Sequence, residues 1–200
     1  MTPAPGDTSA EAATRPRVEG DREQEIRDAT LDVLIDVGYD RLTMDAVASA
    51  ARASKATLYR RWSTKEALVV DALTSMKGTP VLPDTGSLRS DLLASACGMG
   101  GLTDERQISL LASIVTAIGR DRDFADAFRD QFVAPKAAVG RAIFDRARER
   151  GEIRDDVDLD LMAAALPGIL LHRQFLLGDP IDLTSIERVI DQIILPAVRP

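Results

Sequence analysis

Cysteine and histidine are nearly missing from this chain of 200 residues: there is one of each. A lone cysteine cannot close a disulfide within the chain and fits a reducing compartment, so a cytoplasmic location is expected. One cysteine and one histidine are also too few for the usual zinc ligand sets, and no cofactor is expected. The longest apolar stretches, such as residues 161–171, are too short and too interrupted to cross a bilayer, so no membrane partner is expected. The first residues lack a cationic start followed by an apolar run, which excludes a signal peptide as an expectation. No glycine-flanked nucleophilic serine appears, and a Ser/His/Asp enzyme would have to use His172. Gly98-Met99-Gly100-Gly101 lacks the preceding strand and following lysine of a phosphate loop. An enzyme is therefore not expected. His172 reads as a buried or interface residue, and Cys97 as a small buried hydrophobe.

What the chain does have is helical periodicity. With 45% hydrophobic and 28% charged residues there is ample material for a folded core. Residues 1–20, rich in proline, glycine and small polar residues, read as a disordered arm. Arg15 and Arg17 make that arm either an inert tail or a DNA-touching one. From Asp21 to Val37, Ile26, Ala29, Val33, Leu34 and Val37 fall on one stripe, and Gly38 ends the helix. Thr43 caps the next helix. A helix opened by Ser63 or Thr64 carries Leu68, Val69, Ala72, Leu73 and Met76 and stops at Gly78. After a breaker-rich linker at 78–86, helices are expected at about 87–97, 104–119, 122–150, 158–177 and 184–197. Pro135 should kink or break the third of these, Gly151 closes it, and Thr184 with Glu187 makes a capping box. No strand pattern competes. The fold class is all-α, with about nine helices.

Residues 43–62 organise the rest. They read as two short helices with an abrupt break, the second starting at Ser54. Val47, Ala48 and Ala51 bury one face of the first, while Leu58 and Trp62 anchor the second. Lys55, Thr57, Tyr59, Arg60 and Arg61 surround those anchors, which suits insertion into a DNA major groove. Charge agrees. Arg41 to Lys65 hold six cations against the single anion Asp45, a local +5, which leaves −12 for the rest of a chain of net charge −7. A basic patch on an acidic body is the footprint of a DNA reader.

From about Arg22 to Asp71 the chain resembles the TetR family of bacterial regulators. The residues that carry the likeness are Gly38-Tyr39, Thr43, Val47-Ala-Ser-Ala-Ala51, Ser54-Lys-Ala-Thr-Leu-Tyr59, Trp62 and Lys65-Glu-Ala-Leu68. The resemblance implies a three-helix DNA-binding domain at 21–65 and a helical ligand-sensing and dimerisation domain at 66–200. It places Lys55, Ala56, Thr57 and Tyr59 at bases or adjacent phosphates, Thr43 and Lys65 on phosphates, and Arg60 and Arg61 on either. Ser54 starts the recognition helix. Where the family usually has glycine in the turn, this chain has Arg52. A left-handed backbone there would cost on the order of 1 kcal/mol. The alternatives are a turn of altered geometry or a phosphate contact made by Arg52.

The resemblance further implies a homodimer through helices 158–177 and 184–197, whose surplus of apolar residues suits a subunit interface. It also implies a small-molecule effector, hydrophobic or amphipathic, in a cavity. Met99, Leu110, Ile114, Phe128, Phe132, Phe144 and Leu166 are the candidate lining residues, or ordinary core. Arg120, Arg129 and Arg173 are the cations available to an acidic ligand. The function expected is a repressor that binds a palindromic double-stranded DNA operator and leaves it when the effector shifts the population of dimer states. The alternative from another class is a homodimeric helical module that binds protein and not DNA.

Overall fold

A computed structural model describes residues 15–77, 81–98 and 105–200, and every regular element among them is helical. Helix α1 is Arg15–Val37. A 3-10 turn, Tyr39–Arg41, leads into α2, Met44–Ala50. Then come α3, Lys55–Arg61, and α4, Lys65–Lys77. The rest is α5, Leu88–Gly98; α6, Glu105–Ile118; α7 at residues 122–149; α8 at 159–177; and α9 at 183–198.

Three expectations are corrected. First, α1 begins at Arg15, not Asp21, so residues 15–20 of the expected disordered arm are helical; residues 1–14 lie outside the described ones. Second, Pro135 does not break α7. Its first stretch, Arg122–Phe128, widens into a π-helical turn, Arg129–Val133, and then continues as Ala134–Glu149 with the proline in its first turn. Proline lacks an amide hydrogen, and its ring collides with the carbonyl four residues back. A wide turn just upstream moves that carbonyl away, and the helix runs on. The same device precedes Pro196, where Ile190–Ile194 is π-helical. Third, the box that opens α9 lies two residues earlier than Thr184. The Ser185 N–H donates to the Asp182 carboxylate at 2.7 Å, and the Asp182 N–H donates back to the Ser185 hydroxyl at 3.0 Å. An aspartate followed three residues on by serine supplies the same reciprocal geometry.

Two cores hold the helices. The first joins Leu34, Val47, Leu58, Trp62, Leu68 and Leu73 to Leu110, Ile114, Phe124 and Phe128. Packing therefore does not divide at residue 65: α4 belongs with the first three helices, and α6 and the start of α7 close over them. Burying each such leucine contributes about 2 kcal/mol, so this shared core fixes the reading unit on the body. The second core takes Leu88, Phe144, Leu159, Leu166, Leu170, Ile190 and Ile194 from α5, α7, α8 and α9.

One buried charge ties the second core together. The Asp91 side chain is wholly buried. It accepts the Thr85 N–H at 2.6 Å, the Thr85 hydroxyl at 2.7 Å and an Arg150 guanidinium N–H at 3.2 Å. Arg150 also donates to Glu152, whose other carboxylate oxygen accepts the Leu88 N–H at the start of α5. Burial alone would push the Asp91 carboxyl up, but the Thr85 donors and Arg150 outweigh it and hold it below the usual range.

Asp91→Ala should therefore cost about 3 kcal/mol in urea unfolding, since it strands a partly buried cation. A depressed folded pKa means that Asp91 stabilises the fold above its unfolded pKa, about 4, and loses that contribution as pH falls through the folded value. Asp91→Asn should accordingly flatten the fall of the urea midpoint with acidification, and an unchanged slope would show that Asp91 does not carry it.

Candidate nucleic-acid interface

The α2–turn–α3 unit is built by caps at both helix starts. The Ala46 N–H donates to the Thr43 hydroxyl at 3.1 Å, and the Thr57 N–H to the Ser54 hydroxyl at 3.1 Å. Between them the chain turns on Arg52, whose φ of +52° is the only positive value at a non-glycine among the described residues. The Ala53 N–H closes back on the Ala48 carbonyl at 2.8 Å, the six-to-one bond of a left-handed helix end. The turn thus keeps the shape that glycine would give it, with arginine in the strained place. The Arg22 guanidinium of α1 holds the Arg52 carbonyl at 2.7 Å, which locks the strained residue onto the first helix.

That turn aims α3 outward. Leu58 and Trp62 are buried, and the Trp62 indole N–H donates to Asp71 at 2.8 Å, an acceptor shared with Arg27. With the inner face so fixed, Lys55, Ala56, Tyr59, Arg60 and Arg61 are exposed on the outer one, and Tyr59 keeps 53% of its surface open. Thr43 and Ser54 are exposed beside them, and Thr57 is half-buried with its hydroxyl 2.8 Å from that of Ser54. Two of these cations are already matched by carboxylates: Lys55 by Asp45 at 2.6 Å and Arg61 by Glu23 at 3.2 Å. The Asp45 contact raises the Lys55 ammonium above its ordinary pKa.

Lys65 is placed elsewhere. Its ammonium sits 4.0 Å from the Tyr39 ring centroid and donates to the Tyr39 carbonyl at 3.4 Å, half-buried where the reading unit meets the body. Tyr39 is the centre of that junction. Its phenol lies 2.9 Å from Asp121 and 3.2 Å from Glu66, and its ring packs on Phe124 with centroids 4.4 Å apart. Burial first, and then the two carboxylates, drive the phenol far above its ordinary pKa. Asp121 caps α7 by accepting the Phe124 N–H, and this bond leads the set that holds its carboxyl low. Arg120 pairs with Asp40 across the same seam. In the sequence Tyr39 stands only as part of the Gly38-Tyr39 pattern. A large amphipathic ring directly after a helix-ending glycine was the available signal.

The expected cavity residues separate. Leu110, Ile114 and Phe128 lie in the first core with Phe132 packed against it, whereas Phe144 and Leu166 lie in the second. They are thus divided between the two cores. Met99 lies outside the described residues. Arg120, Arg129 and Arg173 each have a carboxylate of this chain: Asp40, Asp126 at 3.0 Å and Asp179 at 2.6 Å. His172 is exposed on α8.

A capped two-helix unit with an exposed basic and aromatic outer helix is the architecture of a DNA reader, and known proteins share it. The family described as bacterial regulatory proteins, tetR family, matches residues 26–72, and the one described as tetracyclin repressor-like, C-terminal domain, matches 82–193. A protein of Mycobacteroides abscessus described as DNA-binding transcriptional repressor TetR is 39% identical over 175 residues, 85% of this chain and 90% of that one. An uncharacterized HTH-type transcriptional regulator of Mycobacterium tuberculosis is 36% identical over 193 residues, 94% of each chain. The crystal structure of a TetR family transcription regulator superposes with a TM-score of 0.69 at 30% identity, covering 90% of this chain and all of that one. The protein is a helix-turn-helix DNA-binding transcriptional regulator. It belongs to the TetR family.

The strained turn makes a sign-reversing test. In a right-handed position alanine stabilises a chain relative to glycine, but at a left-handed one the order inverts. Arg52→Gly should be more stable than Arg52→Ala by about 1 kcal/mol in urea unfolding. Alanine as the more stable of the two would show that residue 52 is right-handed in solution.

Proposed function

We propose that the chain is an effector-responsive repressor that binds a palindromic operator as a homodimer. The observation that carries this is the outer face of α3, where Lys55, Ala56, Tyr59 and Arg60 stand exposed on a helix whose inner face is anchored by Leu58 and Trp62. Lysine and arginine suit guanine edges and phosphates, and the Tyr59 ring suits a thymine methyl or the sugar-phosphate wall. The hydroxyl of Thr43, though it caps α2 as an acceptor, keeps its hydrogen for a phosphate. Lys65 reaches a phosphate only by leaving the Tyr39 ring. The repressor reading draws on the Mycobacteroides abscessus relative, described as a DNA-binding transcriptional repressor.

Support for the dimer comes from α8 and α9. Leu161, Leu176, Leu183 and Ile193 are exposed, Leu161 to 63% and Leu176 to 74%. On α8, Ala164, Gly168 and His172 fill the exposed positions between those leucines. A long helix with an open leucine and small-residue stripe gains by pairing with a copy of itself. A two-fold pair presents two recognition helices to two half-sites, hence a palindrome.

For the effector response, an aromatic ladder supplies the path. Tyr39, Phe124, Phe128 and Phe132 follow one another at centroid separations of 4.4, 5.8 and 4.8 Å from the reading unit into α7. A hydrophobic or amphipathic molecule that displaces Phe128 or Phe132 would move Tyr39 and with it the angle of the reading unit, and the dimer state that fits the operator would lose population.

Binding to a duplex selected from random sequence, followed as salt is raised, tests this. Affinity should fall steeply with salt. Lys55→Gln and Tyr59→Ala should each weaken operator binding by about tenfold, the loss of one good contact, with the melting curve unchanged. Leu161→Glu with Leu176→Glu should give a folded monomer by light scattering that has lost operator affinity. Absence of binding to every duplex at low salt would contradict the operator reading and favour the dimeric protein-interaction alternative.

A further inference from the structure

One cation of the reading unit sits in a strained backbone position. Arg52 has φ +52° in the turn between α2 and α3, a conformation that glycine adopts without penalty. Its backbone is fully engaged: the Arg52 N–H donates to the Ser49 carbonyl at 3.1 Å, and the Arg52 carbonyl accepts the Arg22 guanidinium at 2.7 Å. Glycine would make both bonds equally well, so neither accounts for an arginine. The side chain itself is exposed, and no carboxylate among the described residues pairs with it. Lys55 and Arg61, by contrast, hold Asp45 and Glu23. Strain that the packing does not require is a pointer to a task for the residue that carries it. Position suggests which task. Arg52 stands two residues before Ser54, the cap of α3. A recognition helix enters the major groove by its N-terminal end, so the turn that precedes it stands at the groove edge, beside the sugar-phosphate wall.

We propose that Arg52 is a phosphate-contact residue, and that the turn carries its left-handed strain because a side chain here delivers an unpaired guanidinium to the DNA backbone, which glycine cannot. The planar fork of a guanidinium matches two phosphate oxygens at once. Phosphate and not a base is its partner, because Arg52 precedes α3 and does not lie on the face that enters the groove. No ion pair within the chain has to break first, so the contact is a gain and not an exchange. A phosphate contact carries no sequence information. Arg52 therefore raises affinity for every duplex alike and fixes the seat in which Lys55 and Tyr59 read.

This inference rests on α3 as the recognition helix. The test uses the full-length protein, a duplex it selects from random sequence, and a scrambled duplex of equal length and composition. Arg52→Gln keeps the strain and removes the charge, Arg52→Gly removes both, and Arg52→Lys keeps both. The Gln and Gly variants should weaken both duplexes by about three- to tenfold and flatten the log–log salt slope by about one per protomer. Lysine should keep most of the affinity. Arg52→Gly should lose affinity with a urea midpoint no lower than that of the wild type, so that the loss is not one of folding. Methylphosphonate replacement of single phosphates in the selected duplex then identifies the contact. One phosphate in each half-site should matter to the wild type and not to Arg52→Gln. Wild-type affinity in the Gln and Gly variants overturns the proposal. Weakening in Gly alone does so too, because it puts the effect in the flexibility of the turn. Weakening of the selected duplex alone marks a base contact, and an identical methylphosphonate profile in wild type and Arg52→Gln marks a diffuse charge; either result overturns it. Failure of the underlying reading looks different: the wild type selects no duplex, or Lys55→Gln leaves both affinities unchanged, and the proposal falls with it.

Discussion

The junction between the DNA-reading unit and the rest of the structure centres on Tyr39. One buried ring lies on Phe124, takes a lysine ammonium on its other contacts, and directs its phenol at Asp121 and Glu66. The phenol has a single hydrogen for two carboxylates, so it bridges α4 to the start of α7 with a charge-assisted bond of the stronger kind. Since Asp121 also caps α7, a shift of that helix start alters the acceptor that Tyr39 depends on. The Tyr39 phenol is thereby a buried polar point inside an apolar seam made by Leu110, Ile114 and Phe128, with Arg120–Asp40 and Arg106–Asp32 as exposed pairs beside it. Packed interiors respond to displacement in discrete steps and not by bending, and this makes such a seam suited to switching.

The reading face follows the opposite logic. Its helices are short, seven residues each, and would not persist alone in water. Their direction comes from what surrounds them: two hydroxyl caps, a left-handed arginine held by Arg22, and an indole tied to Asp71. Once the inner face is committed in this way, the outer residues are free to be chosen for chemistry. The chain has put cations there and matched two of them, Lys55 and Arg61, with its own Asp45 and Glu23. For those two, contact with DNA is an exchange of one anionic partner for another.

Much of this was legible beforehand because it is local. Gly38, Thr43, Ser54, Leu58 and Trp62 act within a turn or two of themselves, and the helix ends and the inner and outer faces of α3 follow from them. The strain at Arg52 was also legible, since a glycine-type turn without glycine must either change shape or carry the cost; the fold carries it. What was not legible depends on residues far apart in the chain. Nothing local marks Tyr39 as the partner of Asp121, eighty-two positions away, or assigns Phe128 to the reading unit's core and Phe144 to another. The apolar stripe of α7 looks the same along its length, and only the three-dimensional course of the helix divides it between two cores. Pro135 was a fair signal for a break, but a π turn upstream absorbs it, and no residue pattern announced that turn.

The central claim is that the reading unit and the body are mechanically joined at the Tyr39 phenol. Amide hydrogen exchange on the wild type and on Tyr39→Phe, which keeps the ring and removes only the hydroxyl, tests it most directly. The account predicts faster exchange together in residues 39–41 and in 122–128, with the second core around Phe144 unaffected. Faster exchange confined to residues 39–41, with the start of α7 as protected as before, would contradict it.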